Sequence, residues 1–373
     1  MSIQDEITRA VLSRGEITRY LEGESGRDAR ERIEAYLDEL RTTQRYSFYR
    51  ALKHPVYLML RKVERIGEQV EHVKAAARGG RVVYVSNHRS HTDYLVEPLV
   101  LDDNGIRPPI IAAGVNLFGG PLGLLNRHVT GAMPIRRNSR DPAYLITLKA
   151  YVAELLRTHD LLFFPEGGRS YSGEMKPPKT GLLHAALQAE HPHVVIVPTA
   201  VSYDLVLEDF ILGRQKVKRA QRPFSREVAE MVRYSVGYRS RAYVTFGKAI
   251  AVDGVDATSR RAVLDLGHAV MKTIGRLYKV LPTAVVSAVM RPSITRRELE
   301  QRADALIDTL GTCGANLGVT SGAEAVESAL EPLEARGVLV VERSRIRVRD
   351  RNVLRYYARS IEHLLESPSR RTH

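Results

Sequence analysis

Between residues 81 and 285 the chain alternates short apolar runs with stretches of helical periodicity. The runs are Val82–Val85, Pro109–Ala113, Ala132–Ile135, Leu161–Phe164, Val194–Val201 and Ala242–Phe246. Between them, Tyr144 to Leu156 places Leu145, Leu148, Val152, Leu155 and Leu156 on one helical face, and Gly181 to Glu190 predicts a second helix. Apolar strands alternating with amphipathic helices bury both faces of a sheet. The expected fold class is therefore α/β, a mixed and mostly parallel sheet flanked by helices. The flanks differ in character. Residues 1–80 read as an N-terminal helical segment, with a charged amphipathic stretch over Arg27–Leu40 and a second helical pattern over Tyr46–Val73 that Gly79-Gly80 ends. Residues 286–373 read as a C-terminal helical, winged-helix-like domain. Its expected elements are helices over Thr295–Leu310 and Ala323–Ala335, a hairpin of Val338–Val341 and Ile346–Val348, and a last helix over Val353–Leu365.

Polar residues follow several of the apolar runs, and strand ends of this kind are where α/β folds place their sites. After Val82–Val85 comes Asn87-His88-Arg89-Ser90-His91-Thr92-Asp93. An imidazole can take and return a proton near neutral pH if a second group fixes its tautomer. A strand turning into a helix here would put Asp93 about one turn beyond His88, so the candidate base and orienter are His88 and Asp93. His91 is the competing histidine. Ala132–Ile135 ends in Arg136-Arg137, whose guanidinium forks suit a phosphate. Leu161–Phe164 runs into Pro165-Glu166-Gly167-Gly168-Arg169-Ser170, where glycines let backbone N–H groups approach an anion. Read singly, each of these is as well explained by a cap, a solvated pair or a helix-entry turn.

Charge and cysteine content narrow the setting. A formal net charge of +13 draws nucleic acid, anionic lipid or anionic substrates alike. The lone Cys313 excludes an internal disulfide and, with one thiol, argues against structural zinc. No secretory signal opens the sequence, and no uninterrupted apolar run reaches membrane-spanning length. The expectation is a cytoplasmic protein, peripheral on the inner face of the cell membrane. Phe48, Tyr49, Tyr57, Leu58 and the Asn116–Leu125 loop are its candidate lipid contacts.

Taken in order and spacing, the blocks say more than any member. They resemble those of the glycerolipid acyltransferase superfamily: Asn-His-x4-Asp, a Gly-to-Arg strand, a Phe-Pro-Glu-Gly turn with Arg-Ser, and a Val-Pro strand, here Val197-Pro198. The branch most resembled is the glycerol-3-phosphate and dihydroxyacetone-phosphate O-acyltransferase family. His88 to Leu95, Ala112 to Leu117, Gly131 to Arg137 and the second glycine, Gly168, carry the likeness. It covers residues 82–285 strongly and reaches weakly to Leu354-Arg355-Tyr356-Tyr357. The chain departs from the branch in lacking a long N-terminal extension and in having Tyr171-Ser172-Gly173 where Arg-Thr-Gly is common.

The resemblance implies an acyltransferase that moves a fatty acyl group from a thioester to the hydroxyl of glycerol 3-phosphate or dihydroxyacetone phosphate, the first step of phospholipid synthesis. It implies His88 as general base and Asp93 as its orienter. Arg136, Arg137 and Arg169 would hold the phosphate, and Glu166, Gly167, Gly168 and Ser170 would shape the acceptor site. Acyl-CoA or acyl-carrier protein would be co-substrate, with no metal or other cofactor. The alternatives are a 1-acylglycerol-3-phosphate acyltransferase and, from another class, a nucleic-acid-binding protein. The second would use the C-terminal winged-helix-like segment, where Arg343, Arg345, Arg347, Arg349 and Arg351 alternate through the hairpin and its exit.

Overall fold

The computed structural model describes residues 3–23, 26–47, 63–118, 127, 130–189, 193–214 and 240–365. Three helices open the chain, Ile3–Leu12, Gly15–Gly23 and Gly26–Leu40. They pack on the helix Pro142–Leu155, which starts where Asp141 caps the N–H of Ala143 and Pro142 fills the first turn. Arg14 pairs with Glu154 at 2.8 Å and Tyr151 donates to Gln4 at 2.9 Å, so charged and polar groups as well as Ile17, Ile33 and Leu40 fasten this segment.

The strands, in chain order, are β1 (Val63–Glu68), β2 (Arg81–Ser86), β3 (Ile110–Gly114), β4 (Ala132–Ile135), β5 (Leu161–Phe163), β6 (Val194–Tyr203), β7 (Ser240–Phe246) and β8 (Ile250–Ala251). Among the described residues these eight form one sheet of order β1-β7-β6-β2-β5-β3-β4, with β8 on β6. β2 pairs in parallel with β5 and β6, and β3 pairs in parallel with β5 and β4. Only the β6–β7 and β6–β8 pairings are antiparallel. The expected mixed, mostly parallel sheet flanked by helices is therefore the fold. Val82 through Val85 are all buried because helices cover both faces of the sheet, which is why such strands read as unbroken apolar runs.

β1 corrects the expectation of a helix over Tyr46–Val73. In Val63-Glu64-Arg65-Ile66-Gly67-Glu68 the apolar residues lie three apart, which suits a helix, yet the segment pairs in parallel along β7. The stretch is an outer strand of the sheet, where ladder pairing and packing override local propensity. A Cβ on Gly67 would come within 2.8 Å of Val100, so the strand lies close on the helix Asp93–Asp103. Phe48, Tyr49, Tyr57, Leu58 and residues 119–125 lie outside the described residues, as does most of the basic stretch 214–241.

Beyond the helix Arg260–Leu277, β9 (Lys279–Val280) leads to the helix Pro282–Val289, β10 (Ser293–Thr295), the helix Arg296–Thr312, β11 (Asn316–Leu317), the helix Gly322–Ala335, β12 (Leu339–Glu342) and β13 (Arg345–Val348). β10, β13 and β12 form an antiparallel three-stranded sheet. A third strand thus joins the expected hairpin, in the helix–strand–helix–helix–strand–strand order of a winged helix. Thr295 and Ser321 cap the two longer helices through the N–H groups of Glu298 and Glu324. The helices Arg351–Arg359 and Glu362–Leu365 follow.

The C-terminal helices seat against the main domain at Gly173. Its φ is +88°, and a Cβ there would lie 1.9 Å from the backbone oxygen of Tyr356. Gly173→Ala should destabilise the fold by about 2–4 kcal/mol, from a left-handed backbone penalty and overpacking against main chain. Thermal unfolding checks this, and a variant as stable as the parent would mean that the contact is not made.

Candidate active site

The carboxyl ends of β2, β3, β4, β5 and β6 share one edge of the sheet because these strands run parallel. At that edge β2 gives way to Asn87, whose side-chain amide continues the ladder toward β6. Its Nδ2 donates to the Val201 carbonyl at 3.0 Å and its Oδ1 accepts from the Val201 N–H at 2.7 Å. The next residue is thereby held at the end of the strand. His88 Nδ1 lies 2.8 Å from Asp93 Oδ2. That leaves Nε2 without a protein partner among the described residues, and the ring lines a cavity of about 250 Å³.

Asp93 has no exposed surface. Besides His88 it accepts from the N–H groups of Arg89 (2.7 Å) and Ser90 (2.9 Å) and from the Tyr203 hydroxyl (2.7 Å). It also begins the helix Asp93–Asp103, where the positive end of the helix dipole favours a carboxylate. One turn on, burial pushes the Glu97 carboxyl well above its ordinary range, and the charge on Asp93 adds to the effect.

The backbone of His88 is braced from β5. Its N–H donates to Glu166 Oε1 at 3.0 Å, and its carbonyl accepts from the Ser170 N–H at 3.1 Å. The second oxygen of Glu166 takes the N–H of Lys176 at 3.1 Å. Phe164 stacks on the imidazole, ring centroids 4.3 Å apart. Burial pushes the His88 imidazole below the ordinary histidine value, and His91 and Arg169 push the same way, while Asp93 opposes them. A neutral imidazole with one fixed proton and one free lone pair is what a general base requires.

The sequence-predicted residues divide around the cavity. His88, Arg136, Arg137, Gly167 and Gly168 line it. Glu166 and Ser170 stand behind His88 as described, both buried. Arg169 is turned to Glu208, with Nη1 3.3 Å from Oε1. The Arg136 guanidinium spans both oxygens of Glu39, at 2.8 and 3.1 Å. Arg137 is half-buried and has no hydrogen-bond or ion-pair partner among the described residues; burial and Arg169 hold it below the usual arginine range. Lys179 was not singled out from the sequence. It packs over Gly167, and its Nζ reaches Asn138 Oδ1 at 2.7 Å beside the same cavity. Tyr203, Glu208 and Lys176 were missed as well. Tyr203 and Glu208 lie in or just beyond the apolar run of β6, where a buried polar residue stands out only once its partner is known. The rest of the cavity wall is apolar, including Ile135, Leu145, Leu148, Phe163 and Leu182.

Residues 67–202 match the Acyltransferase family model. The chain carries an acyltransferase-family domain. The glycerol-3-phosphate acyltransferase of Pasteurella multocida is 30% identical to it over 332 residues, which cover 79% of this chain and 41% of that protein. The protein of the same name from Aeromonas hydrophila is 34% identical over 244 residues, covering 62% of this chain and 30% of that one. The chain therefore spans less than half the length of these relatives. A solved 1-acyl-sn-glycerophosphate acyltransferase from Thermotoga maritima aligns loosely, with a TM-score of 0.32 at 16% identity over 57% of this chain and 70% of that one.

Within the acyltransferase domain the state of His88 can be read without substrate. Its titration followed by NMR should have a midpoint below about 6.5. Asp93→Asn should lower it further, because Asp93 is the group that holds it up. A midpoint at or above the ordinary value would contradict the buried, cation-flanked setting.

Proposed function

We propose that the chain transfers a fatty acyl group from acyl-CoA or acyl-carrier protein to the hydroxyl of glycerol 3-phosphate. The observation that carries this reading is the buried His88–Asp93 pair, 2.8 Å apart, opening onto a cavity with apolar walls and cationic residues. The names of the relatives support the acceptor. In the proposed reaction His88 Nε2 takes the hydroxyl proton as the oxygen attacks the thioester carbonyl. A C–O bond forms, the C–S bond breaks, and the thiolate leaves with the proton returned by the imidazolium. Asp93 faces the positive charge that forms on the ring. No acyl-enzyme, metal or other cofactor takes part.

The acceptor phosphate belongs with Arg137 and Lys179, which converge on the Gly167-Gly168 turn. A Cβ on Gly167 would meet Lys179 Nζ at 3.0 Å, and one on Gly168 would meet Arg137 Nη1 at 3.7 Å. Arg136 and Arg169 already hold carboxylates, so they add field more than direct contact. Nucleic-acid binding is disfavoured by charge. The helix Gly322–Ala335, which a winged helix would lay in a major groove, exposes Glu324, Glu327, Glu331 and Glu334.

No helix among the described residues is long and apolar enough to cross a membrane. The proposal puts the protein peripherally on the cytoplasmic face of the membrane, drawn by its net charge of +13 and by an amphiphilic product. Failure to sediment with anionic vesicles at low salt would count against this placement.

Glycerol 3-phosphate, dihydroxyacetone phosphate and lysophosphatidate, each offered with both thioesters, should give ester product fastest with glycerol 3-phosphate. His88→Ala should lower turnover by about a hundredfold or more. Because the neutral imidazole is the active form, the rate should fall as pH drops through the His88 value, with its acid limb below about 6.5. A folded His88→Ala protein with parental turnover would sink the mechanism. Arg137→Ala and Lys179→Ala should each raise the acceptor KM by roughly tenfold to a hundredfold, the worth of a charge-assisted contact. Parental KM values in both would dismiss the phosphate assignment.

A further inference from the structure

One buried carboxylate, Glu208, touches both halves of the site. It is 2% exposed and lies just beyond β6. Its Oε2 accepts from the Ser90 hydroxyl at 2.7 Å. Its Oε1 accepts from the His91 N–H at 2.6 Å and lies 3.3 Å from Arg169 Nη1. Ser90 and His91 belong to the turn that presents His88, and Arg169 ends the glycine turn that follows β5. The network continues inward. Ser90 Oγ accepts from the Thr92 N–H at 3.0 Å and from its hydroxyl at 2.9 Å, and that hydroxyl lies 3.1 Å from the Tyr203 hydroxyl bound to Asp93.

Glu208 is held from far along the chain. Its neighbour Asp209 accepts from the Tyr357 hydroxyl at 2.5 Å and lies 3.4 Å from Arg336 Nε. Arg336 Nη2 donates to the carbonyls of Val206 and Leu207, each at 3.1 Å, and the Tyr357 oxygen accepts from the Val206 N–H at 3.0 Å. Arg336 caps the helix Gly322–Ala335 and Tyr357 lies in Arg351–Arg359. The C-terminal segment therefore grips residues 206–209 at the point where they meet the catalytic turn.

We propose that Glu208 is a positioning residue that sets the His88 turn relative to Arg169, and that Arg336 and Tyr357 make the C-terminal segment part of the active-site assembly. The geometry stands by itself, but the kinetic consequence rests on the acyltransfer reading above. Truncating or loosening the C-terminal segment would act on catalysis through this carboxylate. Neither Glu208 nor Tyr357 lines the cavity, so donor binding is not their concern.

The test is steady-state kinetics on the full chain with Glu208→Gln, Arg169→Ala, the double variant and Tyr357→Phe. Glutamine keeps the size but loses the charge and one of two acceptor oxygens. Glu208→Gln should lower kcat and raise the acceptor KM, together by about tenfold to a hundredfold in kcat/KM, with the donor KM unchanged. The double variant should be no worse than the more severe single one, because coupled residues are not additive. Tyr357→Phe, which removes a single distant hydroxyl, should move kcat/KM for the acceptor in the same direction by about threefold or more. Parental kinetics in folded Glu208→Gln and Tyr357→Phe proteins, or losses that multiply in the double variant, would overturn the proposal.

A parent without ester product on any acceptor would instead overturn the acyltransfer reading. The positioning role is then decided by the His88 titration. Asp93, His91 and Arg169 act on this ring, and Glu166 accepts from the backbone N–H of His88. Removing the counter-charge of Arg169 in Glu208→Gln should shift the His88 midpoint to lower pH, and an unmoved or raised midpoint would reject the role.

Discussion

A carboxylate shut away from water must be met by donors, and at Asp93 the donors define the site. They come from the imidazole of His88, the N–H groups of Arg89 and Ser90, and the hydroxyl of Tyr203 on β6. Without them the carboxylate would be stranded in the interior, which costs far more than an ordinary hydrogen bond contributes. The turn after β2 is therefore folded around one side chain. Its fixed shape decides which nitrogen of His88 carries a proton and which faces the cavity.

Everything else in the neighbourhood limits how that turn can move. Asn87 ties it to β6, while Glu166 and Ser170 hold the backbone of His88 from the β5 side. Glu208 links it to Arg169 and, through Asp209, to the C-terminal helices. Arg89, 2% exposed, reaches the Gly173 carbonyl with its guanidinium 4.8 Å from the Tyr278 ring centroid, adding a second connection to the C-terminal half. Such bracing suits a base that must act without rearranging, since preorganised polar groups need no reorientation during reaction. Of the cations that line the cavity, Arg137 lies just beyond β4, and Lys179 is tied by its backbone N–H to the Pro165 carbonyl just beyond β5, at 2.8 Å, so both are anchored at the same edge of the sheet as His88.

The central strands and the His88–Asp93 pair were legible in the sequence for physical reasons. A strand covered on both faces reads as a continuous apolar run, and a strand-to-helix turn brings a residue and its fifth neighbour together. β1 was hidden because its apolar residues, Val63 and Ile66, lie three apart like those of a helix. β10 was hidden because three residues, Ser293-Ile294-Thr295, carry no periodicity. The arginines show a different limit. Arg136 and Arg137 look alike in sequence and both line the cavity, yet Glu39, distant in the chain, pairs with the first, while the second has no ion-pair partner among the described residues. Likewise nothing local marks Glu208 or Tyr203, since each acquires its meaning from a partner more than a hundred positions away.

The most direct test of this account is a structure of the protein with glycerol 3-phosphate bound. The acceptor hydroxyl should lie within hydrogen-bond distance of His88 Nε2, with Nδ1 still on Asp93 and the phosphate against Arg137 and Lys179. A phosphate bound elsewhere, or a His88 ring turned away from Asp93 when the acceptor is present, would contradict it.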